Sequence, residues 1–480
     1  MAKTRTATTL RQETTLPLAQ IIRDETGQNA FLCYQCVKCT SGCPLSDHFD
    51  LTPNQVMRAL QLGDESVLES KTIWLCASCQ TCTTRCPQGL DIAGIMDTLR
   101  IEAKRRNLPP AIPEVDTFSK LFLADIKLTG GRLYEIGLMG GMYLTTMKKL
   151  LNNPEQLRKD MGMGIEMMKR GKLKLIPGIT RSSRKVKPVE VSDGTVAYFP
   201  GCSLHSTAAE YDHTTHAAAK VLDLQLVEPP GWVCCGSTPA HSTDHTLATV
   251  LPVRTLATVE QMGLDTVTAP CSACFARMKT AAHTMADDID MANQVAAEIG
   301  YTYRGTVTVQ HLLDTLVDRA GLEKIEASVK KPLKGLKVAC YYGCLVTRPP
   351  KITQAEHAEY PMKMDYLMRA IGAETVEWSY KTDCCGGALT LTRTPLALEM
   401  TSKILQDAHD CGADVVAAVC PLCHMNLDAR QSQIALDFQM PTLYATQLMT
   451  LAFGLGSKTS ALDKNLVDPR PVLREKGLLM

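Results

Sequence analysis

Two runs of cysteine carry the first chemistry in this sequence. They are Cys33-Tyr-Gln-Cys36-Val-Lys-Cys39-Thr-Ser-Gly-Cys43-Pro44 and Cys76-Ala-Ser-Cys79-Gln-Thr-Cys82-Thr-Thr-Arg-Cys86-Pro87. Each cysteine of the second run lies 43 residues after its counterpart. In the spacing C-x2-C-x2-C-x3-C-P, three close thiolates wrap one iron–sulfur cluster and the fourth, held before proline, completes the other. The pattern predicts two cubane [4Fe–4S] clusters with crossed ligands. One takes Cys33, Cys36, Cys39 and Cys86; the other takes Cys76, Cys79, Cys82 and Cys43. CxxC pairs also bind zinc, but zinc requires neither four cysteines per run nor a repeated Cys-Pro.

A second repeat follows in the C-terminal half. Its first copy contains Tyr198-Phe-Pro-Gly-Cys202, Trp232-Val-Cys234-Cys235-Gly236 and Pro270-Cys271-Ser-Ala-Cys274. The second contains Tyr341-Tyr-Gly-Cys344, Asp383-Cys384-Cys385-Gly386 and Cys420-Pro-Leu-Cys423. Corresponding cysteines are offset by 142 to 150 residues. Five thiols per copy is one too many for an ordinary cubane or a tetrahedral zinc. Vicinal cysteines are poorly placed for a disulfide with each other, whereas two adjacent sulfurs can reach neighbouring irons. Cys340 and Cys411 fall outside both patterns and are read as buried free thiols.

These thiols need elements to position them. Short β-like runs, TVAYF (195–199) and LKVACYY (336–342), begin the two copies, and DTVTAP (265–270) and DVVAAV (414–419) run into each CxxC. Helical stretches lie between them, as in HTTHAAAKVLDL and TSKILQDAHDCG. Strand–helix alternation predicts α/β layers, with ligands at the strand ends. Between the two N-terminal runs, MRALQLGDESVLES (57–70) reads as helix, and GLDIAGIMDTLRIEAKRRN reads as a helix leaving the module until PPAIP (109–113) breaks it. The cysteine-free middle is Met-rich. It ends in eight basic residues from Lys169 to Lys187 with no acidic one, and Ser182-Ser183 and Pro188 mark a boundary. It reads as a helical linker with a solvated basic tail; a partner-docking or membrane-surface role is the alternative.

Composition narrows the class. The chain has 480 residues, 20 of them cysteine, and a net charge of +1. That balance predicts no nucleic-acid partner, and no apolar run approaches the ~18 residues of a membrane span. The polar start MAKTRTATTLRQETT predicts no secretory signal. The expected location is therefore cytoplasmic, where disulfides rarely persist and thiols serve metal or redox chemistry.

Residues 198–247 (YFPGCSLHSTAAEYDHTT…WVCCGSTPAH) and 341–428 (YYGCLVTRPP…CCGGALT…CPLCHMNLD) resemble the catalytic B-type subunit of heterodisulfide reductase. The N-terminal module is similar to the α-helical ferredoxin of C-type subunits, so the order resembles a C-type subunit fused to a B-type one, as in the D-type subunit. The resemblance spans about residues 30–100 and 195–450. It implies an α-helical ferredoxin domain followed by two pseudo-symmetric α/β cysteine-rich (CCG) domains. It also implies two noncubane [4Fe–4S] clusters, one on Cys202, Cys234, Cys235, Cys271 and Cys274 and the other on Cys344, Cys384, Cys385, Cys420 and Cys423. Zinc in the first unit is the minor alternative. A disulfide would enter between the two clusters and be reduced to thiols, fed one electron at a time by the ferredoxin clusters. The competing function is a pure electron-transfer subunit linking a dehydrogenase to a quinone or flavin enzyme.

Disulfide reduction consumes protons. His205, His241 and His424 lie close in sequence to cluster cysteines and are the candidate donors, and Arg348 is a candidate for attracting an anionic substrate. The chain has no G-x-G-x-x-G at a strand–helix junction. Flavin or nicotinamide must therefore sit elsewhere, on a flavin-containing A-type subunit or another electron donor. The expected assembly is a hetero-oligomeric complex in which any membrane association comes through a partner. The expected domains are an extension (1–29), the ferredoxin domain (30–108), the connector (109–193), and two CCG domains (194–332 and 333–480, the latter with the C-terminal tail).

Overall fold

The computed structural model describes residues 17–151, 154–174, 176–178 and 186–479. The polar start up to residue 16 and Arg181, Ser182, Ser183, Arg184 and Lys185 of the basic stretch lie outside the described residues.

The ferredoxin-type module is helical. Pro53–Leu62 is initiated by Gln55, whose side chain accepts from the Thr52 N–H at 2.8 Å, and it stops at Gly63, which has φ 70°. The helix expected over 57–70 is therefore cut short, and Glu65–Glu69 continues as a 3-10 turn. The left-handed glycine reverses the chain and ends the hydrogen-bond ladder. Ile92–Arg105 starts where the Asp91 side chain accepts from the Gly94 N–H at 2.9 Å. It is buried almost throughout, Asp97, Arg100 and Glu102 included, because it packs on Ile73 and Trp74 of its own module and meets the C-terminal half.

The C-terminal half holds two four-stranded parallel sheets. In the first, β1 (Thr195–Tyr198), β2 (Gln225–Val227), β3 (Thr266–Ala269) and β4 (Thr308–His311) run in the order β2-β1-β3-β4. In the second, β5 (Lys337–Tyr341), β6 (Glu374–Thr375), β7 (Val415–Ala418) and β8 (Thr442–Tyr444) run in the order β6-β5-β7-β8. Ala197 is in register with Val267, and Ala339 with Val416. The inner strands β1, β3 and β7 are buried throughout, which their continuous apolar and β-branched runs require of a sheet covered on both faces. The outer strands β2, β4, β6 and β8 go beyond the sequence reading, since two to four residues carry no readable period.

The two sheets share apolar cores. One core joins Tyr198 and Leu312 to Leu336, Val338 and Tyr444; the other joins Phe199 and Trp232 to Ala339 and Tyr341. Tyr211 stacks on Tyr444 at 4.0 Å, and the Thr214 and Thr446 hydroxyls are 2.7 Å apart.

Three helices, Pro113–Leu128, Glu135–Leu151 and Pro154–Lys169, cross the middle of the chain. They are not a free linker. Phe122, Ile126, Leu138 and Met142 pack against Cys234, and Met163 and Met167 pack against Ala429. The basic tail is only partly solvated. Lys172 is 2% exposed and ion-paired with buried Glu210, and the Arg170 guanidinium donates to the Asp463 carbonyl at 2.8 Å. No helix among the described residues is long and apolar enough to cross a membrane.

Candidate iron–sulfur sites and the cavity between them

The two N-terminal cysteine runs share an unusual backbone. Gln35 and Val37 have φ 61° and 66°, and Ser78 and Gln80, at the matching positions, have φ 50° and 62°. Non-glycine residues held left-handed cost of order 1–3 kcal/mol each and persist only where the site needs them. Here the same pair of left-handed positions recurs in both runs, so the two runs share one local backbone path. The short helices Lys38–Ser41 and Thr81–Thr84 then carry the chain to the fourth cysteine.

Cys43 packs in one cluster with Cys79 of the second run, and burial, with the charges of Cys79 and Cys76, pushes its thiol up. Cys82 likewise feels Cys76, Cys79 and Cys43, after burial. Cys86 lies by Tyr34, beside Cys33 and Cys36.

In the C-terminal half the inner strands deliver the thiols. Cys202 and Cys344 follow β1 and β5, and Cys271 and Cys420 follow β3 and β7. In the first unit the Cys235 and Cys274 sulfurs are 3.4 Å apart, and the Cys234 thiol hydrogen-bonds with Cys202 and Cys235. In the second, Cys385 and Cys423 are 3.6 Å apart, and the Cys384 thiol hydrogen-bonds with Cys344. The units touch where Cys271 meets Cys420. At the far side of the second unit Cys384 meets Cys79 of the N-terminal module, whose thiol is lowered to about 6, chiefly by that contact. Cys235 is likewise lowered by Cys234 and Cys274, and Cys420 by Cys271 and Cys423.

Glycines make room for this sulfur. An added Cβ at Gly201 (φ 71°) would lie 3.0 Å from the Cys274 sulfur, and one at Gly343 (φ 70°) 2.9 Å from Cys423. Gly343→Ala is expected to lower bound iron and to cost at least about 1–2 kcal/mol of stability from the left-handed strain alone. Gly412→Ala, at φ 76° with open space around it, carries the same backbone strain and is expected to leave iron unchanged. Iron assay and thermal melts of the two variants check this.

A cavity of about 240 Å³ lies against the second unit and is lined by Cys344, Cys384, Cys385, Cys420 and Cys423. Ser203, Thr207, Ser237 and Ser272 of the first unit complete it together with Phe118, Phe122, Glu135, Leu138, Met139, Met163 and Met167 of the connector. The connector helices thus wall the pocket, a role with no motif to announce it.

Residues 32–91 match the 4Fe-4S dicluster domain, and residues 196–279 and 338–428 match the cysteine-rich domain. The membrane anchor subunit of 8-methylmenaquinol:fumarate reductase from Wolinella succinogenes is 36% identical over 277 residues, covering 57% of this chain and 96% of the relative. The B-type subunit of the ferredoxin/F(420)H(2)-dependent CoB-CoM heterodisulfide reductase from Methanosarcina acetivorans is 29% identical over 282 residues, covering 57% and 93%. The chain belongs to the family of cysteine-rich-domain subunits represented by that Wolinella succinogenes subunit, and it is similar to heterodisulfide reductase B-type subunits. Its N-terminal module is similar to a C-type iron-sulfur subunit of the CoB--CoM heterodisulfide reductase from Methanocaldococcus jannaschii, at 42% identity over 77 residues (16% of this chain, 41% of the relative). It is an iron–sulfur electron-transfer subunit with a C-type ferredoxin module fused ahead of B-type domains, related to subunits of multi-subunit oxidoreductases.

The donor set of this heterodisulfide reductase relative fits iron–sulfur clusters. All twenty cysteines are free thiols, and glycines clear the space beside two of the sulfurs, Cys274 and Cys423. Among the described residues no three His, Cys, Asp or Glu side chains converge tightly enough for one metal ion.

The three candidate proton donors lie away from the cavity lining. His205 sits 3.4 Å from Glu228 and edge-on to Trp232. His241 is buried with Nδ1 2.7 Å from Asp97, and burial lowers its pKa. His424 is buried, stacked on Tyr444 at 4.0 Å, with Nε2 3.0 Å from the Thr442 carbonyl, and is driven well down by burial. Arg348 does not line the cavity either. It is 1% exposed and clamps the two halves, donating to Thr81 at 2.7 Å and to Thr382 at 2.9 Å. Cys340 is buried in β5 as expected, but Cys411 is exposed, because it caps the end of helix Thr394–Asp410.

Proposed function

We propose that the chain reduces a small-molecule disulfide to two thiols, or runs the reverse reaction, between two facing five-cysteine units. The carrying observation is the contact between Cys271 and Cys420 beside a cavity walled by the second unit. Cys33, Cys36, Cys39 and Cys86 would hold one cubane [4Fe–4S] cluster, and Cys76, Cys79, Cys82 and Cys43 the other. Cys202, Cys234, Cys235, Cys271 and Cys274 would hold one noncubane cluster, and Cys344, Cys384, Cys385, Cys420 and Cys423 its pseudo-twofold mate. When bound, the clusters supply electrons singly, and two facing sites meet the two-electron demand of a disulfide. Cys79 and Cys384, in contact, mark where the ferredoxin module hands over to the second unit. The remaining residues bind and exclude water: apolar connector side chains cover the thiols, and Arg348 and the Asp97–His241 pair hold the module in register.

In this reading residues 30–108 form the ferredoxin domain, 109–193 the connector, and 194–332 and 333–480 the two CCG domains, in a cytoplasmic complex with a flavin-containing or other electron-donor subunit. Anaerobically purified protein is expected to hold about 16 irons, as four [4Fe–4S] clusters. It should also give a new paramagnetic signal when a thiol is added under oxidation. About 12 irons with one zinc would put zinc in the first unit, and no thiol-dependent signal with no disulfide reduced would overturn the proposal.

A second reading, electron transfer to a quinone enzyme, is favoured by the likeness to the 8-methylmenaquinol:fumarate reductase subunit. It predicts electron exchange with a menaquinol analogue and no thiol-dependent signal.

A further inference from the structure

We propose that Glu135 is the acid that protonates a product thiolate in this cavity, and that the occupant is a small disulfide with uncharged, apolar arms. The inference rests on the disulfide reading above. Apart from the cysteines, Glu135 and Arg430 are the ionisable residues among the described ones that line the cavity. Arg430 stays protonated at any working pH. Its terminal nitrogens are engaged, Nη1 donating to Gln433 at 2.7 Å and lying 3.7 Å from Asp160, while its Nε is buried with no partner among the described residues. Glu135 opens the helix Glu135–Leu151. Its Oε1 accepts from the Thr207 hydroxyl at 3.1 Å, while Oε2 is buried with no hydrogen-bond partner among the described residues. A buried orphan oxygen on a residue that lines a cavity calls for a partner, and a carboxyl with its proton in place supplies a donor.

Burial pushes the Glu135 carboxyl up, against the hydroxyls of Ser206, Thr207 and Ser203. Charged groups on the elements packed around it are already engaged. Asp125 accepts from the Tyr134 N–H at 2.5 Å, and Arg132 stacks over Trp232 at 4.1 Å and lies 3.6 Å from Glu228. His205 also pairs with Glu228, and Asp160 with Arg430. Burial is therefore the largest influence, and a carboxylic acid kept neutral in an apolar pocket is a proven way to build a general acid. The walls around it, Phe118, Phe122, Leu138 and Met139, suit alkyl arms, with methionine adapting to their shape.

Two electrons from a one-electron donor, relayed singly, break the S–S bond and leave two thiolates. The Glu135 carboxyl gives its proton to one, forming S–H and a carboxylate. Solvent supplies the second proton and then reprotonates Glu135.

The test uses full-length, iron-loaded protein, reduced methyl viologen and bis(2-hydroxyethyl) disulfide. Glu135→Gln is expected to slow turnover by about 10²-fold, the lower range for a general acid, and to remove the fall in rate on the alkaline side. Glu135→Asp is expected to restore part of the rate with that alkaline limb displaced. Infrared difference spectra give a second readout. A protonated carboxyl band at neutral pH should be present in wild type, absent in Glu135→Gln, and shifted by 2-mercaptoethanol. Wild-type rates and pH profile retained in Glu135→Gln, or a carboxyl band that is missing or indifferent to thiol, would overturn this inference while leaving disulfide reduction standing. A wild-type protein that reduces no disulfide, with its thiol-sensitive band intact, would instead remove the reading beneath it.

Discussion

Cys384→Ser is expected to abolish disulfide reduction while leaving the ferredoxin-type module reducible. Cys384 meets both Cys344 of its own unit and Cys79 of the N-terminal module, and it lines the cavity. It is thereby proposed ligand, junction and cavity wall at once. Removing even an outer-shell partner of a metal site costs roughly 10–100-fold in affinity, so loss of a ligand at this junction should exceed about 100-fold in turnover. Iron should fall from about 16 to about 12 per chain as one four-iron cluster is lost, with the ferredoxin EPR signals retained. Cys340→Ser, in the core of β5 but outside both cysteine units, is the matched control and should keep its iron. Full activity and full iron in Cys384→Ser would remove this residue from the ligand set and the handover from this face.

Lys172→Met is expected to destabilise the protein by about 3–5 kcal/mol, the usual cost of breaking a buried ion pair from one side. Lys172 and Glu210 are 2% and 1% exposed at their side chains, and the Lys172 charge also acts on Asp428. The substitution leaves two buried carboxyls without their cation. At roughly 2–4 °C per kcal/mol for domains of this size, the melting midpoint should drop by about 10 °C. Lys172→Met combined with Glu210→Leu should recover much of it, since an apolar pair of similar volume often replaces a buried ion pair without loss. An unchanged midpoint in the single variant would show that the connector is not anchored there.

The same cluster sets a pH dependence. Burial raises Asp428 from 3.8 to about 6, against Lys172 and the Leu466 and Val467 N–H groups. The folded state therefore binds a proton that the unfolded state releases, and stability falls as pH rises from 3.8 to about 6. Asp428→Asn should flatten that slope, and melts across the window measure it.

Much of the architecture is legible in the sequence because it is local. The inner strands announce themselves as continuous apolar runs, and the positive-φ glycines Gly201, Gly343, Gly236 and Gly386 sit beside cysteines in the sequence itself. Residues whose roles depend on distant partners are not legible in this way. Lys172 reads as one of a run of solvated bases, yet Glu210 buries it. Arg348 reads as a handle for substrate, yet Thr81 and Thr382 hold it. The histidines are close to cysteines in sequence, but a helix turn or a strand end can aim a neighbour away from the site. Glu135 lies 49 residues after Cys86 and 67 before Cys202 and carries no sequence signal.

The cysteine inventory, the two kinds of repeat and the iron–sulfur chemistry they specify are determined by sequence alone, because ligand type and short-range spacing are covalent properties of the chain. Tertiary structure decides which thiols face one another across units, that Cys79 abuts Cys384, and that the Met-rich helices close a cavity over the second unit. Those outcomes follow from burial of apolar faces contributed by segments far apart in the chain, and no local period records which face will meet which.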